Sequence, residues 1–216
     1  MTDAALAATT FIDCDSPVAR AFVEEHAGVG EPIERAIRLY YALRDRIRYD
    51  FYAFGLSPEL LVGSHCLQAE GAFCIPKAVA LATIARAAGI PARVGFADVK
   101  NHLAPPRILA LMDTDLFLWH AFTDLFLEGK WVKATPAFDI ELCRRNGVKP
   151  LEFDGRTDSI FHEFTGGGDR HMEYVAQRGS FDDVPYDSIA ADLGLHYPRL
   201  LEAAAAERAA RAAARA

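Results

Sequence analysis

Cysteine is scarce and never closely paired. The chain of 216 residues has four, Cys14, Cys66, Cys74 and Cys143. None forms a CxxC pair, so neither a zinc ribbon nor a redox dithiol is indicated, and four cysteines in a chain this long do not make a disulfide scaffold. Basic charge is short as well: 23 Lys and Arg stand against 30 Asp and Glu, a net charge of −7. A nucleic-acid partner held by basic charge is therefore not expected. No apolar run approaches the roughly 18–20 residues of a membrane span. The first ten residues contain Asp3 and no basic cluster, unlike a secretory leader. The expectation is a cytoplasmic, reducing setting with no membrane association, in which a single well-placed cysteine can act as a nucleophile.

What is present suits one globular domain. Hydrophobic residues make up 51% and charged residues 25%, enough to build one sizeable core. Asp15-Ser16-Pro17 caps a first helix that ends at Gly28, and a second starts near Glu31-Pro32 and carries Ile33, Ile37, Tyr40 or Tyr41, Leu43 or Arg44, and Ile47 at helical spacing. The third is the most clearly marked. Pro76 lies in its first turn, Gly89 closes it and Pro91 prevents its return. Between them only Lys77, Thr83 and Arg86 are polar, so this helix is expected in the domain centre, with its alanines allowing close packing. Residues 92–97 then alternate with period two, residues 108–112 read as a helical turn, and 116–127 with 130–134 read as a hairpin turning at Glu128-Gly129. Helices followed by an antiparallel sheet make an α+β fold. The domain is expected over residues 1–200, with a core at about 33–139 and an extension at 140–200. Residues 201–216, nearly all Ala, Arg and Glu, read as a helical or frayed tail.

Three polar positions fall in a meaningful order. Cys74 lies just before the central helix with its sulfur expected at the helix N-terminus, where unpaired N–H groups and the positive end of the helix dipole favour thiolate over thiol. The same N–H groups could donate to an oxyanion. His120 lies in the apolar strand Leu118 to Phe122, and a nearby imidazole would lower the thiol pKa further by forming an ion pair. Thr135 ends the next strand. The plainer readings are a small buried cysteine at a helix start and a core histidine with a satisfied hydrogen bond. His65-Cys66 with Cys74 or His102 lacks the paired spacing of zinc ligands, so no metal or cofactor is expected. A metal-dependent hydrolase using His65, Cys66 and His102 stands as a third reading. Gly166-Gly167-Gly168 has no Lys-Ser/Thr after it and is not a P-loop. His162, Glu163 and His171, which flank it, read as solvent-facing groups.

The run Ala72-Phe73-Cys74, then Arg86-Ala87-Ala88-Gly89-Ile90-Pro91-Ala92-Arg93-Val94, then Trp119-His120-Ala121-Phe122 and Gly129-Lys130-Trp131-Val132 resembles the transglutaminase-like superfamily. The resemblance covers about residues 33–139. It implies the papain-like α+β cysteine proteinase fold, a buried helix on an antiparallel sheet, and acyl transfer or amide hydrolysis through a Cys74 thioester with His120 as base and acid. It implies a peptide, protein or small amide as substrate and, by analogy, hydrolysis rather than cross-linking.

Two departures bear on activity. Ala72 replaces the family's glycine two residues before the cysteine. Thr135, fifteen residues after His120, stands where the family has its orienting aspartate. A threonine can accept a hydrogen bond from imidazole but cannot stabilise imidazolium by charge. Asp139 is the charged substitute if the chain turns back at Pro136, and Asp124 reads as a surface carboxylate about 13 Å along the strand from His120. Losing the acid slows such sites without always silencing them. An inactive, peptide-binding module is therefore the alternative to an active enzyme. Gln68 is a candidate oxyanion donor, with an exposed loop glutamine as its plainer reading. Asn101 and His102, at a strand end, are candidates for the cleft lining. Phe51, Phe54, Trp119 and Phe122 are candidates for its apolar walls, with core packing as the default.

Overall fold

The computed structural model describes residues 3–102, 104–160 and 172–215. Helices α1 (Pro17–His26) and α2 (Pro32–Arg46) come first. The Ser16 side chain accepts from the Ala19 N–H at 3.2 Å and caps α1, and Glu31 and Glu34 form a reciprocal capping box on α2. The two-residue strands β1 (Arg48–Tyr49) and β2 (Gly71–Ala72) pair in parallel and flank two 3₁₀ turns and the short helix α3 (Gly63–Leu67). The central helix α4 (Cys74–Ala87) follows, starting two residues before the proline that marks it in sequence.

As its composition predicts, α4 is buried on every side from Ile75 to Arg86. It packs on the sheet strands β3 (Ala92–Asn101) and β4 (Leu116–Leu127) and against α1, α2 and α3. Burying each large aliphatic side chain contributes roughly 1.5–3 kcal/mol. The three polar exceptions are each bonded. Lys77 Nζ donates to the carbonyls of Arg44 and Ile47 at the end of α2, Thr83 Oγ1 to Val79, and Arg86 to Ala7, Ala92 and Asp182. Burial nevertheless lowers the Lys77 pKa to about 8.

The sheet is antiparallel in the order β5-β4-β3-β6, with β5 at Lys130–Ala134 and β6 at Met172–Phe181. The hairpin joins β4 to β5 through Glu128 and Gly129, both at positive φ, the backbone that a two-residue turn of this kind demands. Helix α5 (Pro106–Met112) bridges β3 and β4, and α6 (Ile140–Arg145) follows β5. The segment beyond residue 146, too broken to read in sequence, supplies β6 and the helix α7 (Tyr186–His196). The Ala/Arg-rich terminus forms α8 (Pro198–Arg215). Its Ala204 is fully buried, Arg208 donates to the Phe54 carbonyl, and Arg211 pairs with Asp50. An alanine face suffices because the approach is close and arginines at its edge fasten it.

Candidate active site

The first turn of α4 meets the middle of β4. Pro76 has no N–H, and the Lys77 N–H is already bonded to Phe73 O, which leaves the amides of Cys74 and Ile75 at the helix start. Both lie against the Cys74 sulfur, as does the Ala121 N–H from β4. The ladder between β4 and β5 stops at Thr123 and Ala134, so β5 does not cover Ala121. Sequence reasoning missed Ala121. It is the neighbour of His120, and a backbone donor carries no mark in its residue type.

These three N–H groups do not ionise the thiol. Burial pushes Cys74 up to about 11, and the three amides pull it back only in part. This runs against the expectation of a lowered pKa. The sulfur sits in an apolar recess, and there desolvation of the thiolate outweighs the helix start.

His120 is 7% exposed and sits opposite Ala97 of β3. It follows a bulge: the register passes from Ala97↔His120 to Val99↔Phe117, so Asp98 on β3 faces two residues of β4. Trp119 takes the left-handed conformation there, φ 58°. Such a backbone costs a bulky residue about 1–3 kcal/mol and persists only where its surroundings hold it. The hold is visible. Asp98 Oδ1 accepts from the Trp119 N–H at 3.1 Å and from Arg178 Nε at 2.6 Å. Asp192 Oδ2 accepts from the Trp119 indole at 2.9 Å and from Arg178 at 2.8 Å. The Arg178 guanidinium lies 4.2 Å from the Trp119 ring centroid. Nothing local in the sequence announces this clamp, whose arginine stands 80 residues from Asp98.

Cys74 and His120 line one cavity of about 240 Å³. Its walls are mostly aromatic and aliphatic, and Asn101 belongs to the lining. Phe51, Phe54 and Trp119 line it as cleft walls. Phe122 instead packs over Gly95 and under the Lys133 ammonium. Gln68 does not reach the cavity: it lies outside the lining, and its amide donates to Ser64 O at 3.1 Å within its own helix. His102 also lies outside the lining and faces Glu173 at 3.5 Å.

The two candidates for the orienting group part company. Thr135 is buried at 1% exposure, its N–H donating to Ser159 O and its carbonyl accepting from Tyr40. Its hydroxyl makes no hydrogen bond among the described residues. Asp139 does not turn back to the strand. It caps α6 by accepting from Leu142 N–H at 2.9 Å and accepts from Tyr49 N–H at 2.7 Å. Burial works against its charge, but those two amides and Lys77 outweigh burial and hold its pKa below the usual carboxylate value. Asp124 is buried rather than on the surface. Burial raises its pKa against a hydrogen bond from Ser180.

All four cysteines are free, and among the described residues no three His, Cys, Asp or Glu side chains gather as a metal site. Cys66, part of the metal-dependent reading, is buried with its pKa pushed up to about 12 by desolvation. His162, Glu163, His171 and the Gly166–Gly168 run lie outside the described residues.

A central helix with cysteine at its start, packed on an antiparallel sheet that brings histidine to the same cavity, is the architecture of the papain-like cysteine proteinases. Residues 20–136 match the family described as the Transglutaminase-like superfamily, and the chain belongs to it. Among solved structures it is similar to a provisionally assigned cysteine protease from Cytophaga hutchinsonii, at 13% identity and a TM-score of 0.50. The match covers 87% of this chain and 47% of the other, so this chain spans about half the length of that one. No curated protein matches. No described helix is long and apolar enough to cross a membrane.

Proposed function

We propose that the protein is a thiol-dependent acyl-transfer enzyme that cleaves an amide or peptide bond through a Cys74 thioester. The observation that carries this reading is that Cys74, at the start of the buried helix, and His120, on the facing strand, line one cavity. With burial raising the Cys74 thiol to about 11, His120 acts as general base at the moment of attack rather than as the partner of a standing ion pair. The sulfur bonds to the carbonyl carbon as its proton passes to the imidazole. The amides of Cys74 and Ile75 hold the oxyanion. The imidazolium then protonates the leaving amine as the C–N bond breaks, and water, activated in turn by His120, releases the acid. Four free thiols, three of them buried, suit a reducing compartment such as the cytoplasm.

The test is acylation by p-nitrophenyl acetate, read as an acetyl mass increment on Cys74 and a burst of nitrophenolate. Both are lost in Cys74→Ala, and in His120→Ala the rate falls about 100-fold or more. Transfer to hydroxylamine against hydrolysis by water separates the two outcomes of the thioester. A second reading, a module of this fold that binds peptides without turnover, is favoured by the raised Cys74 pKa and by the engagement of Asp139 with backbone amides. Peptide binding without any acylation of Cys74 would establish it.

A further inference from the structure

The cavity beside Cys74 carries more information than the position of the thiol. An apolar void of about 150 Å³ takes up one benzene ring. The 240 Å³ here therefore suits one ring on a short chain of carbons. Several parts of the fold supply its walls. Among them, Tyr49 and Phe51 come from the segment after α2, Phe117 from β4, and Leu193, Tyr197 and Leu200 from α7, α8 and the residue that joins them. The rings meet edge to face, Tyr49 with Phe138 at 4.8 Å and 81°, and Phe51 with Phe117 at 6.1 Å and 84°. That arrangement extends readily to another aromatic ring.

The wall from α7 and α8 lies outside the residues matched by the family. It is also fixed in place. The Tyr197 hydroxyl donates to Leu116 O at 2.7 Å and accepts from Leu118 N–H at 2.8 Å, while Arg208 and Arg211 fasten α8 to Phe54 O and Asp50. The polar groups of this wall are thereby engaged. Along this wall a carboxamide would pay a desolvation cost that an aromatic ring avoids, while the polar lining residues Asp50, Asn101 and Asn146 belong to other segments of the cavity.

We propose that the acyl group taken up by Cys74 is aromatic, one ring on a two- or three-carbon chain, as in an amide or peptide whose acyl side carries a phenylalanine-like group. This rests on the reading of Cys74 as the acyl acceptor. The experiment compares p-nitrophenyl 3-phenylpropanoate with p-nitrophenyl acetate. In each, the Cys74 sulfur bonds to the carbonyl carbon, the C–O bond breaks, nitrophenolate leaves with the electron pair, and the thiol proton passes through His120 to solvent. With both rates divided by those of glutathione, the aromatic ester is expected to acylate Cys74 about 50-fold faster, the gain from burying a phenyl group.

Leu200→Trp, which fills the cavity, lowers that preference about tenfold. A parallel measurement needs no variant: unreactive 3-phenylpropanamide slows iodoacetamide alkylation of Cys74, and acetamide does not. Equal corrected rates for the two esters, or equal protection by the two amides, overturn this inference and leave the acyl-transfer reading standing. Failure of every ester to acylate Cys74 refutes the acyl-transfer reading itself, and the inference with it.

Discussion

The protonation state of Cys74 is open to a direct measurement. The perturbation is pH, and the assay is the rate of iodoacetamide alkylation of Cys74, followed by peptide mass. A thiol raised to about 11 is thiolate in roughly one molecule in ten thousand at pH 7, about 300-fold less than a free cysteine of pKa about 8.5. The more basic thiolate is also the better nucleophile. With a Brønsted slope of about 0.4–0.5, that recovers roughly tenfold. The net expectation is alkylation about 30-fold slower than that of glutathione at pH 7, rising tenfold per pH unit from 7 to 10. His120→Ala should leave the curve in place, because no standing ion pair is removed. A plateau reached below pH 8, abolished in His120→Ala, would refute the reasoning. It would mean that a thiolate–imidazolium pair outweighs the desolvation of the sulfur.

Further outcomes follow from the same geometry. Burial also raises Cys66 to about 12 and Cys143 to about 11. Groups raised in the folded state contribute stability that is complete below the unfolded value and is lost as pH rises through the folded one. Unfolding free energies from urea titration should therefore fall between about pH 9 and 11, by up to roughly 1.4 kcal/mol per pH unit for each thiol. Lys77, lowered to about 8, acts oppositely: its contribution is lost as pH falls from about 10.5 to 8, and Lys77→Met should flatten that part of the profile. Arg178→Ala leaves the buried Asp98 without its guanidinium and removes the cation from the face of Trp119. It should cost about 3 kcal/mol by denaturant titration and slow Cys74 acylation more than it slows alkylation. Gly95→Ala would bring a methyl group within 2.1 Å of the Phe122 ring, a loss of about 1–3 kcal/mol in thermal or chemical denaturation. Thr135→Val removes a hydroxyl without a hydrogen bond among the described residues and should be neutral or slightly stabilising; a fall in acylation rate at unchanged stability would identify that hydroxyl as the group orienting the imidazole.

Local signals carry as far as local physics does. Proline, serine and glycine mark the ends of α1, α2 and α4 because capping and φ restriction act within a turn or two. The Glu128-Gly129 turn sets the β4–β5 hairpin for the same reason. The alanine-rich sequence of α4 announces its burial, and Cys74 and His120 stand out because their order along the chain matches a known family. What the tertiary structure decides is what depends on distant partners. Asp139 serves the Tyr49 amide 90 residues away, and Arg178 holds the bulge before His120 from a strand that the sequence did not reveal. The thiol is raised because aromatic side chains from separate segments exclude water around it, and desolvation is a sum over neighbours that no short stretch of sequence contains. The C-terminal helices close the cavity for the same reason: an alanine face has little meaning until another surface comes close enough to use it.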